Sequence, residues 1–293
     1  MFEGVEAFYR PATAREALHL LHRGKGRARI VSGCTDLVLQ PDRNIRFLID
    51  ITHAGLSYIR RRNGWWQIGA TTTMADIEDS AELQGVAGGL LPRAAATCGA
   101  IEIRNMATVG GNMANGSPAA DLATPLLALD AEASVESRTS GRIVRRKMPL
   151  GKYLGEARSR GMRNSLLVGI SFQKPPGGAR CGWSFQKLGR TAIDISLVNA
   201  AAGLGLDVRG RVRWARLALG AVAPAPLRMA AIEAATVGRT FGRSLIDEVC
   251  EAVRAAVQPI DDQRASADYR RHIAGVLTKR ALEECAEPVG CCL

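Results

Sequence analysis

The chain has 293 residues, 47% of them hydrophobic and 23% charged, which is typical of a folded globular protein of about two domains. No uncharged apolar run approaches the roughly 18 residues of a membrane-spanning helix, so a membrane span is excluded. The 39 basic and 28 acidic residues give a net charge of +11. The basic residues form only short clusters beside turns, which argues against nucleic-acid binding and leaves solubility or docking of an acidic partner protein.

Cysteines and histidines show no metal-site spacing. The seven cysteines include no C-x-x-C pair, and the four histidines are scattered along the chain. We therefore predict no metal site and reduced thiols. The N-terminal segment carries acidic residues where a signal peptide carries basic ones, so we expect a cytoplasmic protein.

The first 55 residues predict a small α/β subdomain. Thr13, with Glu16 three residues later, predicts a capped helix over 14–23. Short apolar runs at 28–31 and 46–51 predict buried strands. Strand and helix therefore alternate over short distances, as in an α/β unit.

Residues 56–177 predict a second subdomain built on a mixed or antiparallel sheet. Asn63 and Gly64, between two apolar runs, predict a β-hairpin. Residues 108–112 predict a glycine-rich turn. The Pro/Gly cluster at 175–178 is typical of a domain boundary.

We therefore predict a first domain at 1–177, with subdomains at about 1–55 and 56–177, and a C-terminal domain at 178–293. The sequence of the second domain predicts an α+β arrangement of three strands and three helices. The predicted strands are 183–188, 196–206 and 212–219, and the predicted helices are 229–236, 245–257 and 267–285.

Two loops of small residues are the candidates for chemistry. Successive small residues allow backbone N–H groups to converge on an anion such as a phosphate, although both loops also fit simple turns. Neither is a G-x-G-x-x-G or G-K-[ST] motif. The first loop, with the strand before it, is Arg29-Ile30-Val31-Ser32-Gly33-Cys34-Thr35-Asp36. The second is Thr108-Val109-Gly110-Gly111-Asn112, followed by Ser117 and Asp121.

This pair of loops resembles the FAD-binding medium subunit of the molybdenum hydroxylases, the family of xanthine dehydrogenase and carbon monoxide dehydrogenase. The family pattern A-G-G-T-D-L is similar to residues 32–37, and I-R-N-x-A-T-x-G-G-N-x-x-N-x-S-P-x-x-D is similar to residues 103–121. The resemblance covers nearly the whole chain and is strongest to bacterial xanthine dehydrogenases. Further similar segments are 69–73, 187–190, 192–196, 217–226, 264–270 and 277–280.

The resemblance implies an α+β fold with an FAD-binding domain of the PCMH type. It implies that the two loops wrap the FAD pyrophosphate and that Asp121 meets a ribityl or flavin-side hydroxyl. It also implies that backbone near Leu167 contacts the ring system. Cys34 stands where the family favours a second glycine. Gln186 stands where some relatives carry a flavin-contacting lysine, and Lys187 lies next to it.

The implied function is electron transfer within a larger enzyme. The expected partners are a large molybdenum-cofactor subunit and a small subunit with 2Fe–2S clusters, in a heterotrimeric complex, with NAD or another acceptor at the end. No residue of this chain is expected to be catalytic. Two alternatives remain, a stand-alone FAD oxidoreductase and a flavin-free subunit that bridges partners.

Overall fold

A computed structural model describes residues 4–40, 42–139, 141–160, 164–176 and 180–289. The chain forms two compact units. Gly177 and Gly178, at the predicted domain boundary, lie outside the described residues, and that boundary stays a prediction. Among the described residues no helix is long and apolar enough to cross a membrane. Unit 1 comprises Met1–Ile77, Ala100–Gly116 and Ala131–Gln173, and unit 2 comprises Glu78–Gly99, Ser117–Asp130 and Lys174–Leu293.

The first sheet of unit 1 is small and parallel, with strand order β1-β3-β2. Helix α1 (Ala14–Arg23) buries its apolar face in the same core as β3. Its predicted cap is present, because the Thr13 hydroxyl accepts a hydrogen bond from Glu16 N. The predicted α/β start of the chain is therefore confirmed. The three strands are β1 (Ala7–Tyr9), β2 (Ala28–Val31) and β3 (Phe47–Asp50).

The second sheet of unit 1 is antiparallel, with strand order β4-β5-β8-β6-β7. Asn63 and Gly64, with φ of 51° and 78°, form the predicted turn between β4 and β5. Both residue types tolerate the left-handed conformation that such a turn requires. The strands are β4 (Ile59–Arg62), β5 (Trp65–Gly69), β6 (Glu132–Thr139), β7 (Arg142–Pro149) and β8 (Ser165–Gln173).

Four further helices in the described part of the chain complete unit 1. Helix α2 ends one residue past the limit of the unit, and α5 and α6 follow one another directly. The helices are α2 (Met74–Glu78), α5 (Ile101–Met106), α6 (Val109–Ala114) and α8 (Leu150–Arg160).

Unit 2 is built on an antiparallel sheet of order β12-β11-β10-β9. Three of its strands are those predicted. The fourth, β12, is only two residues long, too short to produce a periodic pattern in the sequence. The strands are β9 (Cys181–Leu188), β10 (Val198–Leu206), β11 (Val212–Gly220) and β12 (Leu227–Arg228).

Strand β10 is the centre of unit 2, and all nine of its residues are buried. Alternate residues from Val198 to Leu206 share a hydrophobic core with two long C-terminal helices, α10 and α11. The opposite face of the sheet packs against α7. The helices of unit 2 are α3 (Ala81–Gln84), α4 (Leu90–Ala96), α7 (Ala123–Ala128), α9 (Ala230–Thr236), α10 (Arg243–Ala256) and α11 (Ala267–Ala286).

Candidate cofactor site

The first glycine loop follows β2 and lies against the end of α5. A Cβ atom built on Gly33 would stand 1.8 Å from the Met106 carbonyl oxygen and 3.1 Å from Ala107 Cα. Only glycine permits that approach, because the nearest atoms belong to backbone. The two loops predicted from the sequence are thus brought together within unit 1, since Met106 and Ala107 lead directly into the second.

Cys34 adopts the left-handed conformation, with φ of 59°. This is the conformation in which glycine is least strained, and the resemblance indicates glycine at this position. The thiol donates a hydrogen bond to the Ser32 carbonyl oxygen at 3.4 Å. Burial raises the pKa of the Cys34 thiol, and the charge of Asp50 raises it further, against the lowering effect of the bond to Ser32. Cys34 is therefore a neutral thiol at neutral pH.

The second loop is the first turn of a helix, which corrects the prediction of a glycine-rich turn. The Thr108 hydroxyl accepts a hydrogen bond from Gly111 N at 3.1 Å and so caps α6. Gly110 must be glycine, because a Cβ there would lie 2.6 Å from the Ala70 carbonyl oxygen. Capping threonines favour helix starts, and this cap outweighs the low helix propensity of two adjacent glycines.

The amides expected to converge on an anion in the second loop are already engaged. Val109 N donates to Thr72 O at 2.9 Å, and Gly110 N donates to Ala70 O at 2.7 Å. Asn112 N donates to Thr108 O at 2.9 Å. Any contact from this loop to a ligand therefore has to come from side chains or from atoms other than these amides.

Three buried polar atoms of unit 1 have no hydrogen-bond partner among the described residues. They are Ser32 Oγ in the first loop, Asn112 Oδ1 in α6 and Thr71 Oγ1, next to Ala70. An unpaired buried polar group costs about 1–3 kcal/mol, so such groups usually have a partner that completes them. A polar ligand beside the two glycine loops would supply hydrogen-bond partners for these three atoms.

Asp121 and Lys187, 66 residues apart, form a buried ion pair in unit 2. Lys187 Nζ lies 2.8 Å from Asp121 Oδ2 and donates a second hydrogen bond to Thr97 O at 2.7 Å. The other carboxylate oxygen, Oδ1, accepts from Ser196 Oγ at 2.6 Å and Asn199 Nδ2 at 3.2 Å. Three of the roughly four acceptor positions of the carboxylate are thus filled by protein. The sequence prediction gave Asp121 a direct role toward a ligand hydroxyl but missed these partners.

A row of residues across the sheet explains how the pair is held. Lys187 on β9 lies opposite Asn199 on β10, which lies opposite Gly220 on β11. A Cβ on Gly220 would stand 2.2 Å from Asn199 Oδ1, so glycine makes room for the amide. Thr124 on α7 donates to the same oxygen at 2.6 Å. The signal for Asn199 was present in the sequence, as the one polar side chain in the apolar run from Val198 to Leu206, and buried polar side chains need partners.

The remaining predicted site residues have ordinary structural surroundings. Ser117 Oγ accepts from Ala119 N at 3.3 Å, in unit 2. The Leu167 side chain is buried on β8, and Leu167 pairs with Val135 of β6. Gln186 donates to Glu284 and Ser184. Arg29 lies on β2, and its guanidinium is 3.7 Å from the Asp42 carboxylate. The other predicted residues of this segment are Ile30 and Val31 on β2, the half-buried Thr35 and the exposed Asp36.

Two family models match this chain. Residues 2–172 match the FAD binding domain in molybdopterin dehydrogenase, and residues 183–285 match the CO dehydrogenase flavoprotein C-terminal domain. The chain belongs to this family. The prediction of the family, of the α+β fold class and of FAD as cofactor is thereby confirmed. So is the prediction of an oxidoreductase subunit whose molybdenum chemistry takes place on a partner chain.

Similar proteins cover the chain from end to end. The xanthine dehydrogenase FAD-binding subunit of Escherichia coli O157:H7 is 30% identical, over 97% of this chain and 97% of its own length. The carbon monoxide dehydrogenase medium chain of Hydrogenophaga pseudoflava is 30% identical, over 94% of this chain and 95% of its own. A solved structure of carbon monoxide dehydrogenase from the same organism aligns with a TM-score of 0.88, over 98% of this chain and 99% of the other.

The residues of unit 1 fit an FAD cofactor. FAD is long and rich in phosphate, carbonyl and hydroxyl groups. A phosphate or carbonyl oxygen can accept from the unpaired Ser32 hydroxyl, and a cofactor hydroxyl can donate to the unpaired Asn112 Oδ1. Gly33 and Gly110 let backbone segments lie closer together than any side chain would allow. Buried polar groups normally have a hydrogen-bond partner, so these unpaired atoms are compatible with a bound polar cofactor.

Proposed function

We propose that the chain is the FAD-carrying electron-transfer subunit of a molybdenum hydroxylase that acts on a purine or a similar heterocycle. It receives electrons from 2Fe–2S clusters of a small subunit and delivers them to NAD or another acceptor. Hydroxylation itself takes place on a large subunit with the molybdenum cofactor, in a heterotrimeric, cytoplasmic complex. The full-length similarity to a xanthine dehydrogenase FAD-binding subunit supports the purine assignment.

The observation that carries this proposal is the meeting of the two glycine loops in unit 1. Gly33 packs on the backbone at Met106, and buried polar atoms beside both loops lack partners among the described residues. When bound, FAD supplies a group that accepts electrons singly and can release two as a hydride. The work of this chain is to bind and orient that group.

The cofactor-binding set that we propose contains residues of both loops and four other residues. From the first loop and its strand it takes Arg29, Ile30, Val31, Ser32, Gly33, Cys34, Thr35 and Asp36. From the second it takes Thr108, Val109, Gly110, Gly111 and Asn112, with Ser117, Asp121, Leu167 and Lys187 from elsewhere in the chain.

The test is to isolate the tagged chain from its own cells and to measure FAD, molybdenum and iron in the purified material. We expect about one FAD per chain, together with molybdenum and iron on co-purifying partners. FAD without those partners would favour the stand-alone oxidoreductase. Partners without flavin would favour the bridging subunit.

The substrate and the electron acceptor are tested on the same complex. Purines, other N-heterocycles and aldehydes are supplied in turn, and bleaching of the visible absorption is followed without oxygen. NAD, a quinone or oxygen is then added to the reduced complex. We expect a purine to bleach the absorption and NAD to restore it. Bleaching by aldehydes alone, or recovery with oxygen or quinone but not NAD, would contradict the finer assignment and leave the role in electron transfer intact.

A further inference from the structure

Thr71 has a buried hydroxyl that the proposed cofactor-binding set does not include. The residue is 5% exposed, and its Oγ1 has no hydrogen-bond partner among the described residues. Its two chain neighbours bind the start of α6, since Ala70 O accepts from Gly110 N and Thr72 O accepts from Val109 N. Thr71 therefore lies alongside the second glycine loop.

The adjacent Thr72 shows that burial at this position does not by itself leave a hydroxyl unpaired. Thr72 is 1% exposed, and its hydroxyl donates to Tyr58 O and accepts from Tyr58 N, both at 3.1 Å. Two threonines of the same short segment thus differ in one respect. The Thr72 hydroxyl both donates and accepts a hydrogen bond within the protein, whereas the Thr71 hydroxyl does neither among the described residues. Valine at position 71 would fill the same space and leave no buried polar atom without a partner.

The unpaired hydroxyl of Thr71 belongs to the same part of unit 1 as the other two unpaired atoms. Ser32 precedes Gly33, which packs on Met106 at the end of α5, and Asn112 lies in the first turns of α6. The segments that carry the three atoms are thus linked by direct backbone contacts. A single ligand along these segments would complete all three, whereas three separate unpaired groups would each reduce stability.

We propose that Thr71 is a further FAD-binding residue, whose hydroxyl hydrogen-bonds a polar oxygen of the cofactor held by the two glycine loops. The proposal rests on the proposed function, in that it takes this site to be the FAD site. It adds a contact from the segment before α2 to those from the loops. It also gives a reason for threonine at a buried position where the protein offers the hydroxyl no partner.

The experiment compares Thr71→Val with Thr72→Val in the full chain. FAD is removed and titrated back to obtain Kd, and urea unfolding of the FAD-free chain gives its stability. We expect Thr71→Val to weaken FAD binding roughly three- to tenfold, the equivalent of one hydrogen bond, while the urea midpoint of the FAD-free chain stays the same or rises. Thr71→Ser keeps the hydroxyl and should retain most of the affinity.

The matched control has the opposite signature. Thr72→Val removes a hydroxyl that the protein itself satisfies, so it should lower the urea midpoint of the FAD-free chain and change the Kd for FAD less than twofold. If Thr71→Val instead lowers the midpoint or fails to fold, or leaves Kd unchanged, the hydroxyl is satisfied without the cofactor and the proposal is wrong. If the unaltered chain binds no FAD at all, the proposed function fails first and this inference falls with it.

Discussion

Lys187 Nζ lies 2.8 Å from Asp121 Oδ2, and the two side chains are only 7% and 8% exposed. Each charged group makes further hydrogen bonds within unit 2. The lysine donates to Thr97 O, and the carboxylate accepts from Ser196 and Asn199. Both charged groups therefore have hydrogen-bond partners within the protein, without any ligand. A buried charge that loses its partner is far more costly than an exposed one.

Asp121→Asn should lower the free energy of unfolding by about 3–5 kcal/mol, because it leaves the Lys187 ammonium buried without its counter-charge. The measurement is urea unfolding of the FAD-free chain. Lys187→Met together with Asp121→Asn should cost less than the sum of the two single changes, since neither charge is then left unpaired. Lys279→Met is the control, because its pair with Glu283 is exposed, and we expect a loss below about 1 kcal/mol. Equal losses at the two sites would contradict the structure.

Local patterns in the sequence predicted local structure well, but they did not predict the helix start at residues 108–112. The Thr13 cap and the Asn63-Gly64 turn depend on residues within four positions of one another, so the sequence contains the whole interaction. Residues 108–112 were predicted as a turn because of their two glycines. The cap by Thr108 and the close packing of Gly110 on Ala70, which accompany the helix start, were not predicted.

Long-range pairing could not be predicted, and unit 2 depends on it. Its sheet brings Lys187, Asn199 and Gly220 into one row, and α7 reaches that row from a segment about 75 residues earlier in sequence. No periodicity encodes which strands become neighbours. The resemblance predicted Asp121 and Lys187 as cofactor-site residues, and that role stays a prediction. The structure shows that the two side chains form an ion pair, which no periodicity indicated.

Gly33→Ala should disturb the contact between the two loops. The added Cβ would meet the Met106 carbonyl oxygen, which cannot move without shifting α5, and overpacking of this kind costs about 1–3 kcal/mol. We expect a lower urea midpoint and weaker FAD binding. Gly155→Ala in α8 is the matched control, since a Cβ there meets nothing within 4 Å. That change should raise stability by about 0.5–1 kcal/mol, because alanine favours helix over glycine.

Cys34→Gly should relieve backbone strain in the first loop. A non-glycine residue in the left-handed region costs about 1–2 kcal/mol, and the greater flexibility of glycine in the unfolded chain returns about 0.4–1 kcal/mol of that. We expect a net gain of between zero and about 1.6 kcal/mol in unfolding free energy. FAD affinity should be equal or higher, measured by titration of the FAD-free chain. A loss of stability would show that the thiol bond to Ser32 O matters more than the strain.

Asp262 should make the stability of the chain depend on pH in the acid range. Burial alone raises the pKa of its carboxyl, but hydrogen bonds from Arg264 N, Ala265 N and the Arg270 guanidinium outweigh burial and lower that pKa to about 2. Because the folded-state pKa is below its ordinary value, the stabilising effect is complete above about pH 4 and is lost as pH falls toward 2.

Asp262→Asn should therefore lower the free energy of unfolding at pH 6, by on the order of 1 kcal/mol since solvent screens part of the interaction, and the difference should shrink as pH falls toward 2. Urea unfolding of both proteins across that range measures it. Asp268→Asn is the control, because that side chain is 94% exposed beside Arg271 and should have little effect on stability. A difference between Asp262→Asn and the unaltered chain that stays constant with pH would mean that the carboxylate charge contributes nothing and that only its hydrogen-bond geometry matters. Arg270, 4% exposed and donating to Leu197 O at 2.7 Å, would then hold the start of β10 without help from the acid.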